Sequence, residues 1–564
     1  MSAASAATVP AEANGAPERI VVRALTSPLV LAFLFAVGIA LRLWQYAANA
    51  SLWVDEAAVA RNVVDRPLTA LFKPLDYGQV APWGFLALEK LSITVLGNHE
   101  YALRLFPFLC GALSLFLFYA AAKRVLRDIG VPIAVAMFAA GVPFLYFPSQ
   151  VKPYSCDVAA ALFVLVLALR IERGAMTGAQ AVAIAAAGAI VPWFSSASVF
   201  VLAGTGGALI VVAWMRRDAR RIEPTIAVVG VWAVAAALAV LAGRASMTSA
   251  DRVFMNRFWA AGFAPMPPHG IQDLLWPLKQ LASVFGVFSS APPALDGGLH
   301  YRNPLLMTAL CLVGAVCLAR RNPQVALVIF APVLVAFGAA AAHLYPFSGR
   351  LAVFLIPFLL LAIGAATEDA RSAAPAVVRD AGLIVAAIVV LIAFQAVLRN
   401  HPPDTQEDLR SVLTFVHDRR LPDDRMYVYY GAGQAFLYYA PRFGLEPDMY
   451  SVGTCARHQP IVNLTELDKF RGDRRLWTIF SHSLQGGREI RLLTGYLDRI
   501  GHRLDAFPAT NAPLGAGAYA FLYDLSDARR LASTSRDRYP VTPEDPDTSW
   551  LCYGTMTPLK LQAD

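Results

Sequence analysis

The sequence predicts a polytopic all-α membrane domain of about eleven transmembrane helices, followed by a C-terminal soluble α/β domain on the outer face. Three observations carry this. Of 564 residues, 57% are hydrophobic and only 16% charged, against about 45–50% and 25% in soluble domains. Apolar runs of near-spanning length recur through the first 400 positions. Past residue 399 the pattern changes to alternating short helices and strands. A disordered chain, a collagen-like chain and an ordinary cytosolic enzyme are excluded. The excess of 48 Lys and Arg over 40 Asp and Glu gives a net charge of +8. In a membrane protein that excess belongs to cytoplasmic loops and implies no nucleic acid.

Residues 1–27 read as a polar cytoplasmic tail, with Arg19 and Arg23 before an uncleaved first anchor. The spans expected within the membrane domain (28–398) are 28–46, 102–122, 131–147, 157–171, 179–194, 197–215, 225–243, 303–319, 323–341, 350–367 and 381–398. Charge tests the orientation. With the N-terminus inside, the inner segments hold fifteen basic residues, among them Lys123, Arg124, Arg216, Arg217, Arg320 and Arg321. The three short outer loops hold only Lys152 and Arg350. The positive-inside rule therefore sets a cytoplasmic N-terminus and an extracytoplasmic C-terminus, in a multi-pass protein of the inner (plasma) membrane.

Two long outer loops follow, 47–101 and 244–302, with amphipathic stretches around Trp53 and Trp276 that suit interfacial helices or solvated loops. In the tail, 399–564, helices are expected over 406–419 and 487–500, and strands over 426–430, 476–480 and 516–523. Cys455 and Cys552 lie there, in an oxidising compartment where pairing is open to them; spacing does not fix it.

Groups able to do chemistry collect at the outer face. The adjacent acids Asp55 and Glu56 suit proton transfer or cation binding, or simply the first turn of a helix. Lys90 suits a phosphate or lipid headgroups, and Arg104 and Arg42 sit within apolar runs near the boundary, facing a cavity or snorkelling. Lys152, Tyr154 and Asp157 share the next outer loop, where Asp157 is a helix cap or a second carboxylate. His343, Tyr345 and Arg350 share the last short one, and a guanidinium there can grip phosphate with two donors. No HExxH, Walker loop, GxSxG or zinc-type spacing is present. The common placement, rather than any single residue, suits an enzyme whose substrate lies in the bilayer with its phosphate at headgroup level.

Four stretches carry a resemblance: Ser51-Leu52-Trp53-Val54-Asp55-Glu56; Gln79 to Lys90 followed by Arg104; Ser149 to Asp157; and Tyr345 to Leu351. In this order the chain resembles the GT-C superfamily of polytopic glycosyltransferases, and more narrowly the bacterial relatives of protein O-mannosyltransferases, aminoarabinose transferases and rhizobial galacturonosyltransferases. The resemblance implies a polyprenyl-phosphate-linked sugar donor. It also implies an extracytoplasmic acceptor (envelope lipid, glycan or protein) and inverting transfer of a hexosyl or pentosyl group. It implies Asp55 and Glu56 as the catalytic acids, Asp55 as the base and Glu56 to orient the acceptor or help bind a metal. It implies Lys152 and Arg350 first and Lys90 and Arg61 next as phosphate ligands, and Asp157, Tyr154, His343, Tyr345 and Arg104 as substrate-binding or supporting residues. It leaves a divalent cation open and no metal ligands assigned. The relatives' His-Pro-Pro run is replaced by Gln79-Val80-Ala81-Pro82-Trp83, and Arg252, Arg257 and His269 match nothing. A transporter or flippase for lipid-linked sugars, or a non-catalytic envelope scaffold, are the competing readings.

Overall fold

The computed structural model describes residues 22–286, 298–372, 376–400, 402–403, 407–456, 459–483, 487–508, 517–533 and 552. Residues 1–21 of the expected tail, and 287–297 of the second long loop, lie outside the described residues.

After a helical turn over 22–25, α1 (Pro28–Ala47) opens where Ser27 accepts a hydrogen bond from the Val30 amide and Pro28 occupies the first turn. Then come α2 (Val54–Asp65), α3 (Trp83–Leu96), α4 (Glu100–Val125), α5 (Gly130–Ala139), α6 (Val142–Tyr146) and α7 (Tyr154–Arg173). Next are α8 (Gly178–Ile190), α9 (Ser198–Arg216), α10 (Ala219–Ala245), α11 (Ser249–Phe258), α12 (Ile271–Leu274) and α13 (Trp276–Phe285). The last four of the helical domain are α14 (Pro304–Arg321), α15 (Pro323–Ala341), α16 (Ile356–Ser372) and α17 (Ala376–Arg399). The eleven expected spans coincide with these helices, except that 131–147 is divided between α5 and α6 and that 179–194 and 350–367 each include a 3-10 turn, at 191–193 and 349–355. Among the described residues, eight helical segments are long and apolar enough to cross a membrane. A ninth arises if α5 and the segment Val142–Ser149, bent by 57°, count as one. The apolar helices over 178–193 and 384–399 are shorter.

The spans pack through one continuous core, and α16 lies at its centre, with residues 352–366 almost wholly enclosed. Its contact with α14 depends on Gly314, where an added Cβ would sit 1.7 Å from the Ala362 carbonyl oxygen. Only glycine admits that approach, the way helices without a hydrophobic drive between them pack in lipid.

The tail folds as α18 (Leu409–Arg419), β1 (Arg425–Val428), α19 (Gly433–Tyr439), β2 (Tyr450–Val452), α20 (Pro460–Asp468), β3 (Leu476–Phe480), α21 (Arg488–Ile500), β4 (His502–Phe507), β5 (Tyr519–Asp524) and α22 (Ala528–Ser533). The strands form one sheet in the order β2-β1-β3-β5-β4. β1 runs parallel to β2 and β3, while β5 runs antiparallel to β3 and β4. Cys455 and Cys552 are disulfide-bonded. One sheet face buries Leu464, Tyr496 and Leu497. On the other, Val412, Trp477 and Leu522 belong to the same core as Leu52, Val59, Phe85 and Leu103 of the membrane domain. The tail is therefore built onto the first long loop.

Candidate active site

At the junction of the helical domain and the sheet domain is a cavity of about 1230 Å³. Asp55, Lys152, Tyr154, Asp157, His343, Tyr345 and Arg350 all line it. Asp55 and Glu56 occupy the first turn of α2, but successive helical residues point about 100° apart. Asp55 faces the cavity, with 25% of its side chain exposed. Glu56 faces inward, with 2% exposed.

Glu56 takes both prongs of Arg104, from Nε at 2.9 Å and Nη2 at 2.7 Å. Arg104 also donates to the Ala50 and Ser51 carbonyls at 2.6 and 3.4 Å. Glu56 Oε1 accepts the Val151 amide at 2.8 Å. A single buried carboxylate thus ties the start of α2 to the loop that carries Lys152. Glu56 and Arg104 do not reach the cavity, so they are not among its reacting groups: their charges are spent on each other.

Arg350 Nη2 lies 2.8 Å from Asp55 Oδ2. Its guanidinium carbon sits 5.8 Å from the Trp53 and Tyr154 ring centres and 5.6 Å from that of Trp259. Three aromatic faces around a cation fix its place and weaken its need for water. Its Nε is buried and has no acceptor among the described residues. Lys152 Nζ donates to Gln79 Oε1 at 2.6 Å, so the stretch that departs from the relatives' pattern supports the lysine. Burial alone pushes the Asp55 carboxyl up, but Lys152, Arg350 and His482 outweigh it and hold the group down at about 2. Burial lowers the Lys152 ammonium to about 8, with Asp55 opposing and Arg350 reinforcing.

Asp157 accepts the Ser195 hydroxyl at 2.5 Å. Tyr345 donates to the Leu351 carbonyl at 3.0 Å, and the His343 ring stacks on Phe263 with Nε2 3.2 Å from the Ala264 carbonyl oxygen. Two expected phosphate ligands lie elsewhere. Lys90 Nζ donates to the Val63 and Val64 carbonyls at 2.8 and 3.3 Å, where a cation satisfies the C-terminal end of α2. Arg61 donates to Gln434 Oε1 at 2.7 Å and covers the Tyr77 ring at 4.7 Å, joining α2 to the sheet domain. Arg42 is enclosed and donates to the Gly38 and Ala139 carbonyls.

Sequence reasoning missed His482 and Glu407. His482 lines the cavity and its Nδ1 lies 2.7 Å from Glu407 Oε1. The signal was present: His482 follows the carboxyl end of β3, the edge where α/β sheets with parallel strands place ligand-handling groups. Among the described residues no group of three or more His, Cys, Asp or Glu could hold a metal ion.

Fold and site together define a multi-span membrane protein with a cation-lined cavity where its helical and sheet domains meet. No protein-family model matches the chain, and no curated protein matches it. Among solved structures it is similar to ArnT from Cupriavidus metallidurans in the apo state, with a TM-score of 0.47 and 11% identity over 90% of this chain and 98% of that one. It is also similar to that protein bound to undecaprenyl phosphate, with a TM-score of 0.46 and 12% identity over 88% and 97%. A third is the archaeal oligosaccharyltransferase AglB from Archaeoglobus fulgidus, in complex with an inhibitory peptide and a dolichol-phosphate. It scores 0.47, with 13% identity over 88% of this chain and 74% of that one. At such identities no residue role is carried across.

Proposed function

We propose that the chain is a membrane glycosyltransferase. It moves a sugar from a polyprenyl-phosphate donor to an acceptor on the extracytoplasmic side. The observation that supports this best is the pairing of Lys152 with Arg350 in one large cavity, the guanidinium caged by aromatics and keeping a buried donor in reserve. A leaving lipid phosphate gains negative charge as the glycosidic bond breaks, and preplaced cations in a partly dry site lower that barrier. The lipid tail needs an apolar path, and the same cavity is lined by Val199, Phe200, Phe254, Met255 and Phe258. Asp55, held ionised, keeps Arg350 in place and presents a negative charge where positive charge develops on the sugar.

One helix supports the sidedness. α7 begins at the cavity with Tyr154 and ends at Arg170 and Arg173, twenty residues on, which is about 30 Å at 1.5 Å per residue. Basic residues at the far end and the cavity at the near end support an outer-face site in the inner membrane with the N-terminus inside. The sheet domain, 399–564, then lies outside. A transporter would place its charges near the midplane, whereas here they gather at one end of the bundle.

The test has two arms. The full-length protein in lipid nanodiscs is titrated with undecaprenyl phosphate. Envelope glycans and lipid-linked sugars are compared by mass spectrometry with and without the gene. Binding, together with loss of one glycosylated species and build-up of its lipid-linked precursor, supports the reading. Unchanged envelope sugars would end it.

A further inference from the structure

The resemblance implies Asp55 as the acceptor of the proton, yet it is engaged by Arg350 at 2.8 Å and held ionised by Arg350 and Lys152. A carboxylate so stabilised is a poor proton acceptor. The cavity holds another candidate. His482 sits where β3 ends, with its ring 6.2 Å from that of Trp53. Glu407, on the segment leading into α18, is almost fully buried and lies 2.7 Å from Nδ1. Its other oxygen is 3.4 Å from the Val54 amide, one residue before Asp55. The pair is thus anchored to the same helix start as Asp55.

The loop that carries the histidine is held close. An added Cβ at Gly431 would sit 2.7 Å from the Ser481 carbonyl oxygen and 2.9 Å from that of His482. A carboxylate on Nδ1 selects the tautomer with its proton there, which puts the ring's lone pair on Nε2. Imidazole is the side chain whose proton exchange falls near neutral pH, and a carboxylate behind it orients the ring and stabilises its charged form.

We propose that His482, oriented by Glu407, is the proton acceptor for the incoming hydroxyl. This rests on the transfer reading above. As the acceptor oxygen bonds the anomeric carbon, its O–H bond breaks and the proton passes to Nε2. The bond from that carbon to the donor's phosphate oxygen breaks with its electron pair, and polyprenyl phosphate leaves against Lys152 and Arg350. The imidazolium, neutralised by Glu407, returns its proton to solvent.

The test uses the full-length protein in nanodiscs, with an envelope extract from cells lacking the gene as the source of donor and acceptor. Product is followed by mass spectrometry from pH 4 to 9. Among the described residues, Glu407 contacts His482 and Asp55 interacts with it electrostatically, Asp55 in turn meeting Lys152 and Arg350. Wild-type transfer is expected to fall on the acid side. His482→Asn is expected to cut transfer about 100-fold or more, the scale of a lost general base, while binding undecaprenyl phosphate as before. Glu407→Gln removes the anion that favours imidazolium, so the acid limb is expected to move to lower pH. Should the Asn variant fail to fold, the Glu407→Gln limb decides. Wild-type transfer in His482→Asn, a profile flat down to pH 4, or an unmoved limb in Glu407→Gln would overturn the assignment. Failure of the wild type to bind undecaprenyl phosphate is a separate result, and it removes the transfer reading itself.

Discussion

Neighbours in sequence do different work at this site because a helix turns them apart. Asp55 faces the cavity and Glu56 the interior, so one carboxylate meets the cavity and the other braces its wall. Lys152 yields a direct expectation. Its ammonium is lowered to about 8, so it loses charge as pH rises through that value. Undecaprenyl phosphate binding is expected to weaken between about pH 7 and 9 in the wild type. Lys152→Arg, which keeps its charge there, is expected to hold its affinity; equal weakening in both would remove the lysine from the phosphate site. Asp55→Asn frees Arg350 from a competing anion. That variant is expected to bind undecaprenyl phosphate several-fold more tightly yet lose transfer, read by titration and by product formation.

At the scale of elements, α2 is fixed at both ends by side chains that the sequence suggests for other tasks. Glu56 and Arg104 lock its start to the Lys152 loop, and Lys90 satisfies its end. Arg104→Ala leaves a buried carboxylate without its partner, a loss of about 3–5 kcal/mol. Thermal unfolding in detergent is expected at clearly lower temperature than wild type, whereas Lys90→Ala is expected to show a small shift. The helices were legible because apolar length is a strong signal. Strands β1, β3 and β5 were legible as β-branched and aromatic runs between turns. What escaped was direction. Composition places Lys90, Arg61 and Arg104 near the right face, but only the turn of each helix decides whether a side chain meets the cavity or a neighbouring carbonyl.

For the whole molecule, the decisive feature is that the sheet domain shares a core with the first long loop and delivers His482, with Glu407 behind it, to the cavity. That long-range convergence could not be read from sequence, because nothing local links residue 55 to residues 407 and 482. The disulfide closes a long stretch of the same domain, 97 residues apart in sequence. Cys455→Ser is expected to cost about 2–5 kcal/mol in the sheet domain, seen as earlier unfolding and as reduced transfer with undecaprenyl phosphate binding largely kept.

The measurement that bears most directly on the central claim is the titration of undecaprenyl phosphate into the full-length protein, wild type beside Lys152→Ala and Arg350→Ala. If the cavity docks a lipid phosphate on these two cations, the wild type binds and each variant loses at least about tenfold, near the worth of one charge-assisted contact. Equal binding in all three proteins, or none in the wild type, would contradict it.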